Sequence, residues 1–282
     1  MIDLHVHSTC SDGTFTPGQL VNLAAKQGLS AFALTDHDTV MGIDEAIAAA
    51  RAPRIEVVPG IEFSTEYNGC DIHVVGLDLD WHDSHFLKSL KHFQDSRTDR
   101  NLKMIQKLAD IGIDISATQM SAAFGGAVMT RAHFARYLLE KGYVADIKEA
   151  FSRYIGDHAP CFVSREKVTP AMAVRLICET KGIAVLAHPM QYHFSESELT
   201  LLLRDLKTEG LAGIEAIYST HSRKQEAFLC ATAKRLGLAI SGGSDFHGAN
   251  KPDIHLGTGK GNLRIPDSVL TNLRKKNIWR KI

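Results

Sequence analysis

Ile2, Leu4 and Val6 alternate with Asp3, His5 and His7, the period-two pattern of a β-strand. Residues two apart on a strand share a face, so His5 and His7 point the same way, about 7 Å apart by strand rise. Thr16-Pro17 then sets a capping hydroxyl before a proline, and Leu20, Leu23 and Ala24 follow at helical spacing toward Gly28. A short apolar strand over 31–34 ends in Thr35-Asp36-His37-Asp38, and the next helix carries Ile43, Ala46, Ile47 and Ala50. Further strands are expected over 55–58, over 60–64 with Glu62 where a strand would end, and over 71–77 around His73. Strands alternating with helices argue a parallel sheet, open or closed into a barrel.

That rhythm breaks after Trp81. From about 84 to 157 the pattern is helical, with Leu87, Leu90, Ile105, Leu108, Phe134, Leu138, Ile147 and Phe151 at core-like spacings and Gly112, Gly125, Gly126 and Gly142 as punctuation. So long a stretch without a strand suits an inserted helical subdomain better than ordinary barrel helices. Alternation resumes at Thr169-Pro170 with a helix to about Lys181 and a buried strand over 182–186 that ends in Ala187-His188-Pro189. A helix over 195–208 leads to a strand over 213–217 ending in Ser219-Thr220-His221-Ser222, and a helix over 223–236 leads to Leu238–Ser241 and Gly243-Ser244-Asp245-Phe246-His247. A last helix runs from Pro266 to about Lys276. The expected organisation is α/β: residues 1–83 and 158–282 form the barrel, and 84–157 form a helical insertion that caps it.

Composition narrows the function. Lys plus Arg and Asp plus Glu are both 32, a formal net charge of zero, which excludes a broadly basic nucleic-acid coat but not a local basic pocket. Apolar residues make up 44% of the 282, enough for a sizeable core. The five cysteines are odd in number and lack C-x-x-C spacing, so they read as reduced thiols. No apolar run approaches membrane length and no basic-plus-apolar leader precedes the first strand, so a soluble, cytoplasmic protein is expected, with no membrane partner and no obligate protein partner evident.

Polar residues gather at the strand ends: His5, His7, Asp12, His37, Glu62, His73, His188, Asp245 and His247. In an α/β barrel those ends converge on one mouth. So many imidazoles and carboxylates packed together would repel or resist burial without cations. They suit two or three divalent ions, with a carboxylate such as Glu62 as bridge. Nitrogen and oxygen ligands without thiolate favour Mn²⁺, Zn²⁺ or Fe²⁺ over a closed structural zinc site. Clustered ions with open positions imply hydrolysis, one activating water while others hold phosphoryl oxygens and the leaving group. Asp36 and Asp38 read as groups that orient His37. His82, His85, His92, His158, His193 and His255 read as surface residues, and Met104, Met120 and Met172 as core.

H-x-H-S-x-x-S-D-G at 5–13, T-D-H-D at 35–38, G-x-E at 60–62, His73, A-H-P at 187–189 and G-S-D-x-H at 243–247 together resemble the polymerase and histidinol phosphatase (PHP) family along the whole chain. The resemblance implies a distorted (β/α)7 barrel that holds a trinuclear metal centre, with Mn²⁺ foremost and Zn²⁺ or Fe²⁺ as alternatives, and hydrolyses phosphoesters. Carried over by motif, one ion takes His5, His7, Glu62 and Asp245, a second shares Glu62 and adds His73 and His188, and a third takes Asp12, His37 and His247. Many members have histidine where Asp12 stands, and the aspartate matches the subgroup acting on nucleoside 3′,5′-bisphosphates. Met129–Arg136, Ser219–Ser222 and Arg97–Arg100 look like that subgroup's substrate segments.

The resemblance therefore implies Arg97, Arg100, Arg131 and His133 as phosphate holders on the cap side, with Ser219 and Ser222 beside the substrate, since a second, non-reacting phosphate needs a fork of donors. It implies His221, with Asp12 and His37, among the catalytic residues; His221 would bind a phosphoryl oxygen or protonate the leaving 3′-oxygen. The expected activity is removal of the 3′-phosphate from nucleoside 3′,5′-bisphosphates such as adenosine 3′,5′-bisphosphate, extending to 5′-to-3′ trimming of short 5′-phosphorylated RNA. Two alternatives stand beside it. A phosphatase of small metabolites such as histidinol phosphate would show itself in a substrate panel. A non-catalytic, metal-stabilised interaction domain would bind partners yet turn over nothing.

Overall fold

The computed structural model describes residues 1–164 and 168–277. Seven strands follow chain order around one sheet: β1 Ile2–Val6, β2 Ala31–Leu34, β3 Glu56–Tyr67, β4 Cys70–Leu77, β5 Ile183–Leu186, β6 Gly213–Tyr218 and β7 Ala239–Gly243. The last returns to the first, with His7 N–H donating to Phe246 O at 3.0 Å and Asp245 N–H to His5 O at 2.9 Å, so the sheet nearly closes into a barrel. A Cβ on Gly243 would stand 2.2 Å from the Cβ of His5, so the closing strands approach too closely for any side chain there.

The expected parallel sheet is reversed at one strand. β4 runs antiparallel to both neighbours, and the expected strands over 55–58 and 60–64 are one strand, β3, with Glu62 in its middle. The first half of β3 pairs parallel with β2, and the second half pairs antiparallel with β4, Ser64 facing His73 and Tyr67 facing Cys70. The turn between them is Asn68-Gly69, both at positive φ (52° and 80°), the pair that a two-residue hairpin turn selects.

Helices α1 Pro17–Lys26, α2 Ile43–Ala50, α7 Pro170–Glu179, α8 Glu196–Thr208 and α9 Arg223–Leu236 cover the barrel. Thr16 and Thr169 cap their helices ahead of proline, as their sequences lead one to expect. Val269, Leu270 and Leu273 of α10 (Ser268–Lys276) join an apolar cluster with Ile2, Ala31, Ile183 and Ala239, the first residues of four strands, and so close the end of the barrel opposite the site.

Between β4 and α7 lie α3 Ser84–Asp110, α4 Ala117–Phe124, α5 Arg131–Glu140 and α6 Ile147–Ala150, the last continued by a π-helical turn Phe151–Ile155. α3 belongs to two cores. Phe86, Leu90 and Phe93 pack on the barrel, Phe93 with its ring 4.6 Å from that of Phe63. Met104 and Leu108 pack instead with Met120, Phe134 and Leu138 in a separate apolar cluster that reaches to Cys161. Among the described residues, no helix is long and apolar enough to cross a membrane.

Candidate metal centre

Each element delivers its side chain for a local reason. Alternation along β1 turns His5 and His7 into the mouth. The 35–38 loop is stitched to β3, Glu62 N–H donating to Asp36 O at 3.1 Å and Asp38 N–H to Glu62 O at 3.0 Å, which sets His37 beside Glu62. His73 faces the same way as Ser64, its partner across the hairpin. Asp38, His188 and Asp245 all hold positive φ (49°, 23° and 58°), a strained backbone that persists where surrounding contacts demand it.

Glu62 is the hub. Its Oε2 stands 3.1 Å from His5 Nε2 and 3.2 Å from both His7 Nε2 and His37 Nδ1, while Oε1 is 2.9 Å from His73 Nδ1 and 3.0 Å from His188 Nε2. A carboxylate oxygen has two lone pairs, so three imidazole nitrogens cannot all be satisfied on Oε2 by hydrogen bonds. Asp245 Oδ1 faces His247 Nδ1 at 3.3 Å and His7 Nε2 at 3.4 Å; Asp12 Oδ1 faces His247 Nε2 at 3.1 Å. His5 Nε2, both ring nitrogens of His7 and His188 Nδ1 are buried with no hydrogen-bond partner among the described residues.

Ligand atoms close enough to share an ion fall into overlapping groups: His7, Asp12, His37 and His247; His5, His7 and Asp245; His5, Glu62 and His188; and His37, Glu62 and His73. Orphaned imidazole nitrogens converging with carboxylate oxygens, and no thiolate, fit divalent cations bound by nitrogen and oxygen. The nine expected ligands are thus brought together, with His73 sharing one group with His37 instead of with His188.

The charges of the cluster lean on one another. Burial opposes ionisation of all three carboxylates, yet the imidazoles around Glu62 and Asp12, and Lys251 with His247 and His5 around Asp245, hold them well below the ordinary range. Burial also works against a charged His7, but Asp245 and Glu62 lift it to about 9. His37 and His247 go the other way, lowered first by burial.

Several supporting residues escaped sequence reasoning. Glu215, in β6, accepts from His5 Nδ1 at 3.1 Å and from the backbone N–H of His188 at 2.7 Å, leaving His5 Nε2 as the nitrogen open to an ion. A glutamate inside the apolar run 213–217 was the available signal. Tyr218 O–H and Lys251 Nζ each donate to Asp245 Oδ2 at 2.6 Å. Asp3 accepts from the Ser244 hydroxyl and from Gly257 N–H, which ties β1 to the loop after β7.

Asp36 and Asp38, expected to orient His37, hold the loop on either side of it. Asp36 accepts from Ser8 and Ser11 hydroxyls, each at 2.6 Å, and so shapes the loop after β1. Asp38 accepts from Ser64 N–H at 3.0 Å and from Arg97 Nε at 2.9 Å. Ser64 Oγ in turn lies 3.4 Å from His37 Nδ1.

A cavity of about 280 Å³ opens beside the cluster, lined by Asp12, His37, His73, His247 and Lys251 on the barrel side and by Arg97, Arg100, Arg131, Ile147 and Phe151 from the insertion. Arg97 is buried against Asp38 and Ser64. Arg100 Nε donates to Asn101 Oδ1. Arg131 bridges Asp71 of β4 and Asp157, 2.7 Å from each, and so fastens the insertion to the hairpin. The guanidinium groups thus reach the cavity with part of their charge already matched.

The other expected substrate residues stand apart from that wall. His133 Nδ1 accepts from Thr130 N–H at 2.9 Å in the capping box of α5. The Ser222 hydroxyl caps α9, and Ser219 Oγ donates to Ser244 O at 2.6 Å. His221 is buried after β6 with Nδ1 3.0 Å from Ala216 O and Nε2 without a partner among the described residues. Backbone needs account for three of the four, and His221 keeps one nitrogen open.

The model of the PHP domain family matches residues 3–163. A 5′-3′ exoribonuclease of Haemophilus influenzae is 37% identical over 279 residues, 99% of this chain and 98% of its own. A 3′,5′-nucleoside bisphosphate phosphatase of Chromobacterium violaceum is 34% identical over 254 residues, 87% of each chain. Among solved structures, an amidohydrolase of Chromobacterium violaceum with bound sulfate superposes with a TM-score of 0.86 at 31% identity, over 98% of this chain and 96% of the other. A family match across more than half the chain, joined to relatives that run nearly its full length, places this protein in the PHP family.

Proposed function

We propose that the chain is a metal-dependent phosphoesterase that removes the 3′-phosphate from nucleoside 3′,5′-bisphosphates. The observation that carries this reading is the cavity's two-sidedness, with metal-ligating groups on one wall and three arginines on the other. Divalent ions held by His5, His7, Asp12, His37, Glu62, His73, His188, Asp245 and His247 would activate water and neutralise phosphoryl oxygens; Mn²⁺ suits the mixed donor set, with Zn²⁺ and Fe²⁺ as alternatives.

The protein's own part is positioning. Arg131, Arg100 and Arg97 present donors to the phosphate that stays, and Ile147 and Phe151 give the same cavity an apolar wall for the nucleoside. His221, buried after β6, retains an open ring nitrogen for a phosphoryl oxygen or the leaving 3′-oxygen.

A 5′-phosphorylated RNA end presents the same two phosphates, one as a diester. The resemblance to a relative named as a 5′-3′ exoribonuclease supports such an end as a second substrate class for the same site. The test is phosphate release with Mn²⁺ from adenosine 3′,5′-bisphosphate, 5′-AMP, 3′-AMP and histidinol phosphate. Release from the bisphosphate alone, lost in Asp245→Ala and weakened in Arg131→Ala, is expected; preference for histidinol phosphate would overturn the assignment of the arginine wall. RNA cleavage that declines only weakly with salt would mark an end-reading pocket.

A further inference from the structure

The insertion does more than roof the cavity, because one of its residues reaches the metal centre. Thr130, 118 positions from Asp12 in sequence, donates its hydroxyl proton to Asp12 Oδ2 at 2.8 Å, and both residues are buried. The direction of that bond follows from its surroundings. Ala132 N–H donates to Thr130 Oγ1 at 3.2 Å, so the oxygen is already an acceptor for the first turn of α5. His133 Nδ1, 3.3 Å away, accepts from Thr130 N–H at 2.9 Å. A hydroxyl has one proton to give, and the carboxylate is the nearer and charge-assisted acceptor.

Asp12 is thereby held from two bodies. Its backbone carbonyl accepts from Asn250 Nδ2 of the barrel at 2.7 Å, while its side chain answers to the insertion. With Oδ2 held by Thr130 and 3.7 Å from His37 Nε2, Oδ1 is turned toward His247 Nε2 at 3.1 Å and His7 Nδ1 at 3.8 Å. The seam around Thr130 is itself fixed, with Val128 N–H donating to Cys10 O and Asn101 Nδ2 to Met129 O, each at 3.0 Å.

We infer that Thr130 is a positioning residue of the metal centre: its hydroxyl orients Asp12 as a ligand, so that seating of the insertion sets the affinity of the ion at the Asp12, His37 and His247 group. This rests on the reading of Asp12 as a metal ligand and goes beyond it by making the substrate cap part of the ligand shell.

The experiment titrates chelator-stripped, full-length protein with Mn²⁺ by calorimetry, in wild type, Asp12→Ala, Thr130→Gly, Thr130→Ser and the Asp12→Ala/Thr130→Gly double variant. Glycine is well tolerated as a helix cap, so it removes the hydroxyl while sparing α5. Asp12→Ala is expected to abolish one binding event. Thr130→Gly should weaken that event about tenfold or more, Thr130→Ser should restore it, and Thr130→Gly should add nothing to Asp12→Ala. A wild-type isotherm for Thr130→Gly beside a lost event in Asp12→Ala would overturn the inference, and so would an additive loss in the double variant. Wild-type binding by Asp12→Ala would remove Asp12 from the ligands and take the inference with it. Thr130→Val, which keeps the side chain's shape, repeats the test if glycine loosens the helix by circular dichroism.

Discussion

The two oxygens of Asp245 serve different masters: Lys251 Nζ sits 2.6 Å from Oδ2, which also receives the Tyr218 hydroxyl, while Oδ1 alone faces His7 and His247. Lys251 thus steadies Asp245 without competing for the oxygen that faces the imidazoles. Lys251→Met should lower kcat/KM for the bisphosphate by about tenfold or more through a mispositioned Asp245. With Lys251 40% exposed, the loss in stability should stay near 1 kcal/mol. Parallel kinetics and urea melts measure both; unchanged kinetics would show that Tyr218 alone holds the carboxylate.

Glu215 makes a sharper prediction, because it engages both the His5 ring and the backbone of His188. Glu215→Ala should cut Mn²⁺ affinity roughly 10–100-fold, with Glu215→Gln in between because its amide oxygen can still accept from Nδ1. Metal content after dialysis against graded chelator reads this directly. Equal retention by all three proteins would reduce Glu215 to a packing residue.

Arg97 faces the cavity but is paired with Asp38 inside the protein, both nearly inaccessible. Arg97→Met leaves a buried carboxylate without its counter-ion and should destabilise the fold by about 3–5 kcal/mol. A phosphate holder with no structural duty would lower affinity for the bisphosphate and leave the urea midpoint in place. Comparing the midpoint with KM separates the two roles.

The imidazoles give the stripped protein a pH signature. His7, lifted to about 9 from an ordinary 6.5, contributes stability that is complete below 6.5 and lost as pH rises through 9. The loss should be on the order of 3 kcal/mol between those limits. His5 is raised as well and acts in the same direction, whereas lowered His37 and His247 contribute only above 6.5 and lose that contribution as pH falls. Chelated protein should therefore weaken from pH 6.5 to 9. Mn²⁺-loaded protein should not, because ligation needs neutral imidazoles. Parallel melts with and without Mn²⁺ at those two pH values decide it.

Much of this was readable before any coordinates. The β1 alternation, the Thr16-Pro17 and Thr169-Pro170 helix starts and the polar strand ends are local patterns, and local patterns survive folding. The reversed β4 was also written in the chain, as Asn68-Gly69, but dividing β3 at Pro59-Gly60 hid the length of strand that this turn connects. Ser222 and Thr130 each open a three-residue cap spacing, to Gln225 and His133, and that spacing explains Ser222 better than a substrate role does. The partners of Arg97 and Arg131 were not legible, since Asp38 lies 59 positions away and Asp71 on a different element altogether. Charge pairing at such distance is decided by tertiary geometry, which no local spacing encodes.

The hairpin of β3 and β4 has a consequence for how this protein can change over time. Glu62 and His73 face the same mouth because one two-residue turn fixes which faces of the two strands look inward. A single-residue insertion or deletion there would turn His73 away from Glu62, which the 35–38 loop holds in place, since neighbouring strand positions face opposite sides. Such a length change should be lethal to activity. The connections after α3 and after α5 neither end a strand at the site nor carry Thr130, so lineages can lengthen or trim them more freely. New substrates would then be acquired by editing the cap, one loop at a time, over a turn whose length cannot drift.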